Sequence, residues 1–205
     1  MSMNAANVRR TAGDCVSFLR ASMDGDWNVS VPGLDFSVLG VVAHAAETCL
    51  WYAIDLAAAG QDLKSVEHRV KTDTSPADVV DTLAAYAEVV AAVIETAPGT
   101  ARGFHPCGTA DPSGFAAMAC DEMLIHTDDA ARGLDLAFHP DPDLAAGVLH
   151  LLFPWVTNIT DPWEQLRWAN GRTDFADQPR LSGWAWHCAP LEEWDGTMST
   201  KTKHF

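Results

Sequence analysis

The chain has 205 residues, of which 48% are hydrophobic and 20% charged, and its formal net charge is −15. This is the composition of a soluble globular protein long enough to bury a sizeable core. The acidity excludes nucleic acid and anionic membrane surfaces as partners, because both demand a basic face. No apolar run reaches the ~20 residues a membrane-spanning helix needs, and no apolar stretch follows Arg9 and Arg10 as it would in a signal peptide. The five cysteines (Cys15, Cys49, Cys107, Cys120 and Cys188) are scattered and form no CxxC, which points to a reducing cytoplasm rather than a disulfide framework.

In chain order, Asn4 to about Met23 carries apolar residues at Val8, Cys15, Phe18 and Leu19, a helical spacing, and Asp24-Gly25-Asp26 stops it. Val31-Pro32-Gly33 makes a turn. Ser37 then caps a long second helix that Gly60 ends. Residues 61–74 are polar and read as a connection, with room for a short strand or helical turn. Ser75-Pro76 opens a third helix, with Asp78 placed to complete a capping box, and Pro98-Gly99 closes it. A glycine-rich link containing His105, Pro106 and Cys107 leads to Asp111-Pro112, the start of a fourth helix that ends near Gly133. Four helices of about twenty residues, each roughly 30 Å long, predict an antiparallel bundle.

Beyond Pro140 two shorter helices are expected, Asp141 to Phe153 and Pro162 to about Ala169. Six of the eight tryptophans lie from Trp155 onward, where they serve to pack this segment on the bundle or to line a pocket mouth. The stretch from Asp195 to Phe205 has no pattern and is expected to be a mobile tail. The chain thus divides into a bundle, residues 1–135, and an extension over 136–205 that packs on it as one structural domain.

Three polar residues stand out inside alanine-rich apolar segments, where unpaired charge is costly. His44 lies in the second helix; Glu122 and His126 lie four apart in the fourth, on one helical face. Two imidazoles and a carboxylate form a three-ligand set that leaves a coordination position open, the pattern of catalytic zinc. The same set suits non-haem iron(II). Asp129, three residues past His126, is placed to orient an imidazole N–H. Glu47 and Thr48 lie one turn beyond His44, with Glu47 a candidate general acid or base, or a substitute ligand. Arg167 and Arg172 are candidates for binding carboxylates of a cofactor or substrate. His68, His105, His139, His150, His187 and His204 show no ligand spacing, although His105 and His187 are placed to border a pocket.

Val41-Val42-Ala43-His44 together with Glu122-Met-Leu-Ile-His126-Thr-Asp-Asp129 resembles the DinB-like superfamily, in the branch of mycothiol-dependent maleylpyruvate isomerases and mycothiol S-transferases. The resemblance covers residues 4 to about 135, and Asp161 to Arg172 is similar to the C-terminal part of some relatives. It implies an all-α fold built on an up-down-up-down four-helix bundle. It also implies a divalent metal, usually zinc, held by His44, Glu122 and His126. Mycothiol or a similar low-molecular-weight thiol would be the co-substrate, its thiolate attacking an electrophilic small molecule in an isomerase or S-transferase reaction. The C-terminal part departs from the α+β domain that follows the bundle in maleylpyruvate isomerase itself, which argues against maleylpyruvate as the substrate. Two alternatives stay open: a non-catalytic metal- or ligand-binding bundle, and a hydrolase or lyase with water in the open position. Either a monomer or a homodimer is expected.

Overall fold

The computed structural model describes residues 2–65 and 67–200. Six α-helices make it mostly helical: α1 (Ala5–Ala21), α2 (Val38–Ala57), α3 (Pro76–Thr96), α4 (Pro112–Gly133), α5 (Pro142–Leu152) and α6 (Pro162–Ala169). Each long helix starts where a capping side chain stands. Asn4 and Asn7 form a reciprocal capping box on α1, Ser37 Oγ accepts from Gly40 N at 3.1 Å, and Asp111 Oδ1 accepts from Gly114 N at 2.7 Å. At α3 the Ser75 hydroxyl accepts from Asp78 N and itself donates to the Asp78 carboxylate at 2.7 Å, so the box closes through the side chains.

Side-chain pairings fix the helix directions. Met3 N donates to Ser113 Oγ, Thr11 Oγ1 to Cys120 Sγ and Cys15 Sγ to the Met123 carbonyl, so α1 and α4 run parallel. Arg9 pairs with Glu88 and Glu95 while Arg20 pairs with Asp81, which makes α1 and α3 antiparallel. His44 faces Glu122 and Tyr52 stacks on Phe115, so α2 opposes α4. It follows that α2 and α3 are parallel, and the order is up-down-down-up. This corrects the up-down-up-down expectation. Consecutive helices α1 and α2 sit diagonally, each packed against α3 and α4.

The reason lies in residues 58–75. An extended chain gains roughly 3.3 Å per residue, ample to travel back along a ~30 Å helix. The described residues of this segment form no helix or strand and run back along α2: His68 Nε2 lies 3.0 Å from the Glu47 carbonyl, and Val70 N donates to Glu47 Oε1 at 2.6 Å. Link length and helical period carry no information about which end of the bundle a link returns to.

The glycine-rich link before α4 folds as a β-hairpin, which the sequence reading treated as a loop. Strands β1 (Gly103–His105) and β2 (Gly108–Ala110) pair antiparallel, with Pro106 and Cys107 at the turn and Gly108 at φ 139°. Helix α5 packs on α4 and α6 on α5. The tryptophans of this extension mainly pack: Trp163, Trp168 and Trp186 are buried, and Trp186 Nε1 donates to the buried Asp121 carboxylate at 3.0 Å. The expected mobile tail is tied down as far as described, since Ala185 N donates to the Ser199 carbonyl and Trp184 bridges to Thr200. The remainder of that tail, residues 201–205 including His204, lies outside the described residues. Among the described residues no helix is long and apolar enough to cross a membrane, and no cysteine pair forms a disulfide.

The returning C-terminal segment crosses the start of α4 at Gly114, where a Cβ would press into the Cys188 carbonyl oxygen. Gly114→Ala is expected to lower the unfolding free energy by about 1–3 kcal/mol through this overlap with rigid backbone. A urea titration monitored by circular dichroism measures it; an unchanged midpoint would show that Cys188 is not seated there.

Candidate metal centre

Two antiparallel helices bring the three residues together. His44 projects from the first half of α2, and Glu122 and His126 from successive turns of α4. One ligand atom from each lies within 4.8 Å of the others. Glu122 Oε2 is 2.9 Å from His126 Nε2 and 3.8 Å from His44 Nε2, and the imidazoles meet edge to face with centroids 5.0 Å apart. The sequence-predicted trio therefore converges on one point.

That point is shielded unevenly. The Glu122 and His126 side chains are 11% and 14% exposed, whereas His44 is 45% exposed and forms the solvent side. Glu122 Oε1 accepts from the Tyr52 hydroxyl at 3.3 Å, and its buried partner oxygen Oε2 faces the two imidazoles, paired with His126 Nε2 at 2.9 Å in a poorly aligned contact. A buried carboxylate oxygen held by a poorly aligned contact is under-satisfied, and its position between two imidazole nitrogens is the arrangement a divalent ion would satisfy. The donor set of two nitrogens and one oxygen fits such an ion.

Behind His126 the structure supplies what a ligating imidazole needs. Its Nδ1 lies 3.1 Å from Asp129 Oδ2, and Asp129 is fully buried. Asp129 also accepts from Arg172 Nε and Nη2, the latter at 2.9 Å, and from Arg132 Nη1 at 3.1 Å. With Asp129 as acceptor, the Nδ1 proton stays in place and Nε2 faces the trio. Arg172 reaches this spot because α6 ends in a Schellman turn. Gly171 takes φ 65°, its N–H bonds to the Trp168 carbonyl, and Arg172 N bonds to the Arg167 carbonyl.

Several residues take places other than those expected. Arg167 and Arg172 bind carboxylates, but the chain's own: Arg167 Nε donates to Asp128 at 3.1 Å and Nη1 to Glu164, while Arg172 clamps Asp129. This replaces the cofactor-binding role with a structural one, because buried acids of α4 demand cations. Asp129 acts through His126 and does not face the trio's centre. Glu47 is no substitute ligand: its carboxylate accepts from Val70 N and lies 3.7 Å from Arg69 Nη1. His105 packs between Tyr52 and Trp186, accepting from Cys107 N, and His187 borders a cavity of about 230 Å³ beside Cys188.

Two residues escaped the sequence reading. Tyr52 is two turns past His44, a legible spacing, but a tyrosine in a helix reads first as core. Asp121 adjoins Glu122 and nothing local marks it out; it is buried, accepting from Asn170 Nδ2 at 2.9 Å and from Trp186 Nε1. Burial and the neighbouring Glu122 push the Asp121 carboxyl up to about 8, against the pull of Asn170, Arg172 and Trp186.

Protonation follows from the same contacts. Burial pushes His44 below its ordinary value, more than Glu122 raises it, so this imidazole is neutral at pH 7. Burial also opposes charge on His126, but bonding to Asp129 and Glu122 outweighs it and lifts the group to about 9. Burial would raise Glu122, yet His126, His44 and Tyr52 together hold it below the usual carboxylate range. Tyr52 is pushed well above its ordinary value by burial and by Glu122, and so keeps its proton.

In the metal-free protein a raised histidine stabilises the fold below its unfolded value and loses that contribution as pH rises through about 9. A lowered glutamate contributes above its unfolded value and is lost on acidification. Below about pH 9 the ion must displace the His126 proton, so zinc affinity is expected to rise about tenfold per pH unit from 6 to 8. Asp129→Asn is expected to weaken zinc about 10–100-fold. Competition titrations with a chromophoric chelator measure both, and an affinity independent of pH would contradict the assignment of Nε2 as a ligand.

No protein-family model matches this chain, and no curated protein or solved structure shows significant similarity to it.

Proposed function

We propose that the protein is a divalent-metal, most simply zinc, enzyme of the DinB-like, mycothiol-dependent type. It would be a transferase or isomerase that joins a low-molecular-weight thiol to an electrophilic small molecule. The observation that carries this reading is the convergence of His44, Glu122 and His126, with the buried Glu122 Oε2 lying between two imidazole nitrogens. The resemblance of the motifs, His44 with Glu122-x-x-x-His126 and Asp129 bonded to His126, supports the proposed family.

A divalent ion in this trio would supply an open position with enough Lewis acidity to hold a thiol as its thiolate at neutral pH. The chain's own residues do the rest. Asp129 keeps the His126 Nδ1 proton and fixes the ring, Tyr52 donates to Glu122 Oε1 and thereby aims Oε2, and the neutral His44 forms the accessible wall. The apolar surroundings of α2 and α4 keep water from most of the site, which strengthens each of these interactions. In a transferase the sulfur–carbon bond persists in the product and the thiol proton passes to solvent or the leaving group. In an isomerase the bond forms, the adduct rotates, and the thiol leaves with its proton restored.

Zinc-loaded protein given mycothiol and an activated aryl halide is expected to form the thioether at least 100-fold faster than the zinc-loaded His126→Ala variant. The rate is followed by absorbance, with glutathione as the comparison thiol. Turnover of ester or amide substrates with no thiol present would favour the hydrolase reading, and no acceleration with either thiol would sink the transferase one.

A further inference from the structure

His44 is shared between the trio and a cavity of about 510 Å³ that lies between α2 and the crossover segment. This volume is in the range of small-molecule pockets. The cavity is a built site rather than a crease. Its roof, the segment around residues 68–72, is held by His68 to the Glu47 carbonyl, by Val70 N to Glu47 Oε1 and by Trp51 stacked on His68 at 4.6 Å. Phe36, Leu39, Trp51 and Val70 give it an apolar body, and Phe36 stands 49% exposed at the protein surface.

The charge of the lining is the opposite of the protein's. In a chain of net charge −15, the cavity carries Arg69 and Lys71, and its one acidic lining residue is Glu47. Glu47 Oε1 is already taken by Val70 N, and its Oε2 sits 3.7 Å from Arg69, so that acid is largely answered within the wall. The long contacts of the exposed Arg69 to Glu47 and Glu67 are weak in water. Lys71 makes no ion pair among the described residues.

We infer that this cavity binds the electrophilic substrate, and that the substrate is an apolar organic acid whose body lies against Phe36, Leu39, Trp51 and Val70 and whose carboxylate meets Arg69 and Lys71. The identity of the occupant as substrate rests on the proposed function; the binding chemistry does not. Because His44 is the exposed member of the trio, a molecule seated here lies beside the side of the centre that is open to solvent. The crossover that makes α2 and α3 parallel is what supplies both cations.

The test uses chelator-treated, metal-free protein, so that a carboxylate taken up by a metal ion is not counted. Calorimetric titration with 4-phenylbutyrate is compared with its neutral amide, 4-phenylbutyramide. The acid is expected to bind at least about tenfold more tightly than the amide, the worth of one good charge-assisted contact. The combined Arg69→Ala and Lys71→Ala variant is expected to remove that preference and leave the amide unaffected, while Phe36→Ala weakens acid and amide alike. Both cations and Phe36 are exposed, so these variants are expected to keep the wild-type helical signal. No binding of the acid at millimolar concentration, equal binding of acid and amide, or a preference that survives the double substitution would each overturn the inference. Acid binding in a protein that takes up no metal would uphold the pocket while removing the proposed reaction.

Discussion

A fully buried carboxylate, Asp129, is the constraint on which the rest of the site depends. Burying a charge is expensive unless it is paired and hydrogen-bonded, and here three separate groups meet that demand. His126 comes from the same helix one turn back, Arg132 from one turn on, and Arg172 from the end of α6. Arg132 at the same time donates to the Pro32 carbonyl, so the link between α1 and α2 is fastened to α4 through it. One carboxylate therefore holds an imidazole in its tautomer, docks the C-terminal extension and anchors the entry to α2.

The extension consequently belongs to the site without facing it. Arg167 on Asp128, Asn170 and Trp186 on Asp121, and Arg172 on Asp129 make three consecutive attachments along α4, each to an acid that flanks the trio. Removing the cations would leave buried, unpaired charges, which is more damaging than the loss of surface salt bridges such as Arg20 with Asp81. The run of acids in α4 is thus explained by its neighbours.

Much of this was legible in the residues. Caps at Ser37, Ser75 and Asp111 set the helix starts, and the helical step placed Glu122 and His126 on one face with Asp129 behind. The path of residues 58–75 was not legible, because a polar link of that length satisfies either bundle topology; the seating of His68 and Val70 against Glu47 reveals it. Arg167 and Arg172 were read as binding the carboxylates of a cofactor or substrate, whereas both bind acids of the chain itself. The partners are long-range, and nothing local distinguishes a buried Asp121 or Asp128 from a solvated one. The hairpin at Gly103–Ala110 was hidden by its shortness and its glycines.

The central claim is that His44, Glu122 and His126 share one divalent ion, and elemental analysis tests it most directly. Protein purified without chelator and exchanged into zinc-containing buffer, then stripped of free metal, is predicted to hold about one zinc per chain, the stoichiometry of a single three-ligand centre. The His44→Ala and His126→Ala variants are predicted to lose it while their helical circular dichroism signal persists. A wild type that holds no zinc, or variants that retain it in full, would contradict the account.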